Sequence, residues 1–310
     1  HLMAEGPLDD ISISSRNARL DDALLRIAFT GVGYRFDGPI RIDDDGVFCE
    51  RVRVSDAEGE KATLDGGISW NRFKDMRLDA SLHFDDMELL DTPRDGGLGV
   101  YGRLFASGNA RVSGPTGNLQ IDAEARSSRA GNVTISSDSP VLKDNNGLLT
   151  FAVRKEIDEE LLAFENRSEE IKGAGRMNLK AHLLVSPQVT INMPIDAESG
   201  SGLSANGDGD IVLTLPAGSD DLLMVGTYNI ESGRFDYEIP GLLKKEFVLE
   251  DGSSINFGGS LENTDLNVKA TYKLSTSLSS LIADSTSTNI RRHVNCGIQI
   301  TDKLRNPKAS

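Results

Sequence analysis

The residues able to do chemistry are few, and their spacing argues against each familiar kind of site. Four histidines occur, His1, His83, His182 and His293. A zinc site groups imidazoles or thiolates at short spacing, whereas His83 and His182 stand singly on the polar positions of alternating segments. Ser69 lies in Gly67-Ile68-Ser69-Trp70-Asn71, which lacks the closing glycine of a nucleophile elbow. Asp43-Asp44-Asp45-Gly46 is acidic but misses the alternate-position carboxylates of a calcium loop, so it reads as a turn. Asn206-Gly207-Asp208-Gly209-Asp210 is close to one calcium-binding β-roll repeat, and such sites form only where the repeat recurs. Cys49 and Cys296 make neither a CxxC nor a metal spacing. Cys296 shares the parity of Val294, Ile298 and Ile300 and reads as a small buried hydrophobe; whether the two cysteines pair is open. No catalytic residue, metal site or cofactor is expected.

What must position side chains in this sequence is a series of strands. Met76, Leu78, Ala80, Leu82 and Phe84 alternate with Arg77, Asp79, Ser81, His83 and Asp85, the period of a strand with one apolar face. The same pattern runs through Leu119 to Ala125, Met177 to Val185, Val189 to Met193, Ile211 to Leu215 and Leu266 to Tyr272. Turn signals separate the runs at Asp45-Gly46, Asp65-Gly66-Gly67, Asp95-Gly96-Gly97, Ser113-Gly114-Pro115, Asn146-Gly147 and Asp251-Gly252. No regular helices intervene, which argues against a βαβ fold. Asn17 to Ala28 reads as a short helix on the spacing of Leu20, Leu24 and Ile27. Residues 155–172 read as a charged helical insertion, and residues 275–289 as a Ser/Thr-rich loop with a helical turn. His1-Leu2-Met3 reads as a cloning remnant, leaving residues 4–310 as one elongated domain. About twenty strands at ~4.8 Å spacing give a stack on the order of 100 Å.

Composition narrows the function. Aromatics make up 5% of the chain against 38% hydrophobic residues and 31 glycines, which suits many short strands better than a thick globular core. The net charge of -15 repels phosphate backbones and excludes a counterion-release route to nucleic acid. No run of about 18 apolar residues is present, so no membrane-spanning helix is expected.

The ordered series in residues 205–307 carries a resemblance. It comprises Gly207-Asp208-Gly209, Val225-Gly226-Thr227-Tyr228-Asn229-Ile230, Gly233-Arg234-Phe235-Asp236-Tyr237 and Lys245-Glu246-Phe247. Gly252-Ser253-Ser254-Ile255-Asn256-Phe257-Gly258-Gly259, Ala270-Thr271-Tyr272 and Val294-Asn295-Cys296-Gly297-Ile298 complete it. This resembles the C-terminal region of the TamB family, the inner-membrane component of the translocation and assembly module, as found in Bacteroidetes-like bacteria. Asp65-Gly66-Gly67-Ile68 and Tyr101-Gly102 through Ser113-Gly114-Pro115 extend the likeness upstream. The insertion at 155–172 has no counterpart in the family pattern.

The resemblance implies an all-β, strongly curved sheet, the β-taco or open β-solenoid-like form, with its apolar face inside. It also implies a periplasmic protein anchored in the inner membrane of a Gram-negative bacterium, reaching an outer-membrane β-barrel of the TamA type. Its cargo would be phospholipid or unfolded outer-membrane protein. The residues expected to line the groove are Leu78, Leu82, Leu119, Ile121, Leu179, Leu183, Val189, Ile191, Leu213 and Leu215 in the first half. In the second they are Ile230, Phe235, Tyr237, Phe247, Ile255, Phe257, Leu266, Val268, Tyr272 and Ile298. On this reading Val268→Arg obstructs the groove while the strands persist. A structural link between the membranes without cargo, and an extracellular β-solenoid adhesin, are the competing functions. A single Trp70 and five tyrosines supply too little surface aromatic for the adhesin.

Overall fold

The computed structural model describes residues 3–5, 12–27, 29–72, 74–94, 99–136, 149–152, 176–196, 200–219, 221–239, 243–277, 291–304 and 308–309. The strands are β1 (Met3–Glu5), β2 (Ser12–Ile27), β3 (Gly33–Asp43), β4 (Gly46–Asp56), β5 (Gly59–Asn71), β6 (Lys74–Thr92) and β7 (Val100–Pro115). They continue as β8 (Asn118–Ser127), β9 (Gly131–Ile135), β10 (Leu149–Ala152), β11 (Arg176–Val185), β12 (Val189–Asp196) and β13 (Ser201–Leu215). The last six are β14 (Leu223–Ile239), β15 (Leu243–Leu249), β16 (Ser253–Gly259), β17 (Asp265–Ser277), β18 (Arg291–Lys303) and β19 (Lys308–Ala309). One short 3-10 turn, Leu261–Asn263, links β16 to β17. The fold is all-β, as the alternation requires.

All of these strands belong to a single hydrogen-bonded sheet. From β2 to β7 it is an antiparallel meander. β8 and β9 then lie end to end along β7, and β11 and β12 lie parallel to them. β13 to β18 resume the meander, with β15 and β16 sharing one position beside β14. A parallel step needs a crossover. Here the crossover carries β10, which adds antiparallel to the free edge of β2. Because four positions hold two strands each (β1 with β10, β8 with β9, β11 with β12, β15 with β16), the nineteen strands make a sheet fifteen positions wide, on the order of 70 Å along its curve, shorter than one strand per position gives.

Two sequence expectations change. Ser12–Ile27 is a strand, not a helix over residues 17–28; its breaks in alternation come from register shifts against β3. Asp65-Gly66-Gly67 is not a turn but the middle of β5, paired on both sides. Gly66 sits there at φ 132°, and a Cβ would stand 2.2 Å from the Asp79 carbonyl oxygen, so glycine permits close strand approach. The Asp65 carboxylate instead accepts from the Arg51 N–H at 2.8 Å. The helix expected at 155–172 lies outside the described residues, and the loop expected at 275–289 does so beyond Ser277.

The sheet bends sharply along a line that crosses the strands. β6 carries a bulge between Phe84 and Met87, with Asp86 at φ 50°. The gaps between β8 and β9, β11 and β12, and β15 and β16 fall beside the irregularity at Asn206/Gly207 of β13. Bulges free backbone groups that a ladder would otherwise satisfy, and short polar side chains take them up. Ser107 Oγ accepts from the Asp86 N–H at 2.9 Å, and Ser127 Oγ from the Ser186 N–H at 2.8 Å. Asn206 Nδ2 donates to the Pro187 carbonyl at 2.9 Å. Ser253 Oγ accepts from the Lys269 N–H at 3.0 Å and donates to the Glu250 carbonyl at 2.7 Å.

Two contacts show how far the sheet curls. β3 and β6 are three positions apart, about 14 Å in a flat sheet, yet Tyr34 Oη donates to the Glu88 carbonyl at 2.8 Å. The β2–β3 tip also covers the lower part of β6, where the Asp91 N–H donates to the Thr30 carbonyl at 2.7 Å. Farther along, Leu261 Cδ1 lies 3.1 Å from where a Cβ on Gly99 would stand, about five strand positions away. Among the described residues the registered ladders of β18 run to β17 and β19, and those of β2 to β1, β3 and β10.

Gly31 locks the β2–β3 tip onto β6, since its φ is +74° and a Cβ would stand 2.0 Å from the Asp91 carbonyl oxygen. Gly31→Ala should lower the unfolding free energy by about 2–4 kcal/mol. Gly218→Ala, at φ +76° with open space around it, should cost only about 1 kcal/mol. Urea denaturation compares the two. At the bend, the Asp86 carboxyl is held below the usual aspartate range, first by the Ser128 hydroxyl and further by Lys61 and Arg129, against partial desolvation. A depressed pKa stabilises the fold fully above about pH 4, the unfolded value, and progressively less as pH falls through the folded one. Asp86→Asn should flatten that acid limb of the stability profile, measured by urea midpoints across it.

Candidate functional site: the inward apolar face

Cross-strand register turns the alternating segments into continuous apolar rows. Leu64, Leu82, Ala110, Ala123, Ala181, Leu213 and Met224 follow one another from β5 to β14. The next row holds Ala80, Val112, Ile121, Leu179 and Leu215. A row nearer the bend holds Val185, Gly209, Tyr228, Ile255 and Leu266. Pairs of this kind, side by side on one face, are what stabilises a sheet.

The expected lining residues fall into three environments. Val189, Ile191, Leu215, Ile230, Phe235, Ile255, Phe257, Leu266 and Val268 are buried. All but Leu215 belong to one packed cluster with Met193, Leu203 and Ile300. Val268, Val189 and Ile255 have 0% exposure. Leu183 and Leu213 are half-buried against that cluster. Tyr228 crosses the interior and donates to the Ala205 carbonyl at 3.3 Å, while burial pushes its phenol pKa upward.

On one side of this packed middle lies an aliphatic shelf. Leu78, Leu82, Leu119, Ile121 and Leu179 are half-buried there, and Met76 is 38% exposed. On the other side, across the bend, lies an aromatic shelf. Phe247, Tyr272 and Ile298 are half-buried and Tyr237 is 37% exposed. The Phe235 ring lies 6.3 Å from both Tyr237 and Phe247, and Phe247 lies 5.8 Å from Tyr272. The separations suit tilted ring packing.

The expected lining leaves out the small residues that complete these rows, Ala80, Ala123 and Ala181 of the alternating runs together with Ala110, and the inward Leu64, Phe36 and Val54 of β3 to β5. Bulges at Asp37/Ile40 and Cys49/Val52 break the periodicity in that part of the chain. The signal that remained was a change of phase across a polar doublet, as at Glu50-Arg51.

The polar face offers no catalytic grouping. His83 Nδ1 lies 2.8 Å from Asn109 Oδ1, and His182 Nε2 lies 2.7 Å from Asp210 Oδ1. No cluster of three or more metal-ligating side chains occurs among the described residues. Asp43 Oδ1 accepts from the Asp45 N–H at 3.1 Å within the β3–β4 turn, and Asn206 is spent on the bend. Ser69 pairs with Gly46 and Arg77 in β5. Cys49 and Cys296 are free thiols. Burial raises the Cys49 pKa, with Asp65 adding to it. Cys296 is exposed rather than buried, because its part of β18 projects beyond the enclosed interior and has no strand outside it among the described residues.

The sequence matches the family model of the TamB C-terminal domain over residues 50–310. The chain belongs to the TamB family. It is therefore a translocation and assembly module protein of the cell envelope and not a member of a known enzyme family. No match was found among curated proteins. No helix among the described residues is long and apolar enough to cross a membrane.

The exposure difference within this TamB face has a direct consequence. Val268→Arg places a charge where nothing is exposed and should cost about 3–5 kcal/mol, so its strands should not persist unchanged. Leu82→Arg, on the half-buried shelf, should cost about 1 kcal/mol, since the long side chain can reach water. Denaturant midpoints of the two variants check the contrast.

Proposed function

We propose that this TamB segment shelters the acyl chains of phospholipid on their way between the inner and outer membranes. The observation that carries the reading is the aliphatic shelf, where register-matched Leu, Ile, Val and Ala side chains stay half-exposed beside a packed interior. An acyl chain in water loses about 0.8 kcal/mol for each exposed CH₂, so sixteen carbons leave a bilayer at a cost of about 12 kcal/mol. A carbon-lined shelf offsets much of that while the headgroup remains in solvent. Successive positions along this shelf are nearly equal in energy, so movement along it needs no chemistry. The parent protein would be anchored in the inner membrane and hand its cargo to a TamA-like β-barrel in the outer membrane.

One observation favours unfolded outer-membrane protein as a second cargo. Residues 291–299 of β18 pair with β17 on one side, while β19 covers only Ile300 and Thr301 on the other. An extended segment could add there by strand augmentation. A non-transporting link between the membranes would use neither feature.

Solvent extraction and mass spectrometry of the purified protein should recover phospholipid. Leu179→Arg should reduce the recovered lipid at least about fivefold, by placing a charge in the path of hydrocarbon, with circular dichroism unchanged. Equal lipid in both proteins would refute the shelf as its seat. A lipid-free protein that crosslinks to unfolded barrel strands would favour the second cargo.

A further inference from the structure

Lys245 breaks the apolar rule of the inward face. Its neighbours Phe247 and Leu249 fix its parity in β15, and it stands directly opposite the inward Tyr237 of β14. Across β11 to β17 it is the sole cation on that parity among the described residues. A half-buried ammonium loses hydration and needs compensation. Its recorded partner is neutral: Nζ lies 3.0 Å from Tyr272 Oη and 4.8 Å from the centre of that ring. Among the described residues no carboxylate forms an ion pair with it, although the chain carries a net charge of -15 and its outward cations are widely paired. The cation is held by an aromatic contact and its charge is left for something else.

The surroundings say what that is. Tyr237 and Tyr272 present hydroxyls at the edge of the face, where Tyr237 is 37% exposed. Phe247 and Ile298 continue the apolar surface inward. Rings with one wet end beside a cation are the arrangement used where hydrocarbon meets a charged interface. The aliphatic shelf across the bend has no counterpart, its inward residues being Leu, Ile, Val, Ala and Met. We infer that Lys245, flanked by Tyr237 and Tyr272, anchors the phosphate of an anionic phospholipid whose acyl chains lie along Phe247 and Ile298. This rests on the groove reading above and adds to it a headgroup site and a fixed orientation of the cargo.

The test uses the full chain, with fluorescent-tailed phosphatidylglycerol and diacylglycerol of identical chains offered from mixed detergent micelles. The wild-type protein should bind phosphatidylglycerol about tenfold more tightly, the contribution of one charge-assisted hydrogen bond. Lys245→Gln should erase that preference and keep diacylglycerol binding, while Lys245→Arg should retain most of it. Soluble glycerophosphoglycerol should not compete. Equal binding of both lipids by the wild type, an unchanged preference in Lys245→Gln, or competition by the soluble headgroup would each overturn the anchor. Failure of both lipids to bind the wild type would instead bring down the groove itself, and the anchor with it.

Discussion

The bend across the strands is the constraint from which the rest of this fold follows. A sheet of this width with one apolar face must hide that face, and with few large aromatics to fill a second layer it does so by folding over on itself. A strand cannot turn that sharply and keep every ladder hydrogen bond. The turn accordingly carries Ser107, Ser127, Asn206 and Ser253, whose short side chains reach the freed backbone groups, with the Asp85 carboxylate accepting from the Ser107 hydroxyl. Removing such a side chain would leave a buried N–H or C=O unsatisfied, costing about 1–3 kcal/mol. The bulge also adds one residue, so inward parity passes from Phe84 to Met87 in β6 and from Ile230 to Gly233 in β14. Both walls therefore present carbon to the interior.

The outward face contributes less energy than its ion pairs suggest. Arg19–Asp37, Arg53–Asp37 and Arg111–Asp79 are exposed, and pairs of that kind are worth about 0–1 kcal/mol each. A different arrangement holds near the bend. Phe105 faces outward but is only 4% exposed, because Arg103 and Arg129 lie over its ring at 4.7 and 3.6 Å. Arg103 also binds the buried Glu88, and Arg129 binds Glu58 and Asp86. Two guanidiniums thus roof an aromatic and tie the β4–β5 turn, β6, β7 and the β8–β9 link together where ladder bonds are interrupted.

Much of this was legible in the chain and the reasons for the remainder are physical. Met76 to Phe84, Leu119 to Ala125 and Leu266 to Tyr272 each alternate without interruption, and each is a strand with that face inward. In β2 to β5 the bulges interrupt the alternation, so Asn17 to Ala28 reads as a short helix and Asp65-Gly66-Gly67 as a turn. In fact Gly66 is needed for strand approach and Asp65 for capping Arg51. The parallel step from β8 and β9 to β11 and β12 leaves no local mark, because parallel and antiparallel half-wet strands carry the same period. Lys245 was legible only as part of a family motif. Its meaning comes from parity, fixed by a pairing with Tyr237 that no single segment contains.

The division of the inward face into a sealed middle and two accessible shelves limits how a long hydrocarbon could travel. Where Val189, Ile255 and Val268 interlock at 0% exposure, a chain could pass only by parting the walls. That would expose several of these side chains at about 1.5–3 kcal/mol apiece, a cost comparable with the gain from sheltering much of one acyl tail. On the shelves no such cost would arise, since the side chains there are already half-exposed, the unfavourable state that cargo would relieve. Binding on the shelves would thus be downhill, and movement between them would be the activated step. A cation fixed at one shelf and absent from the other makes the two unequal for a charged amphiphile, so the barrier separates distinguishable sites instead of equivalent ones. Directionality can then come from the headgroup while the hydrocarbon supplies the affinity.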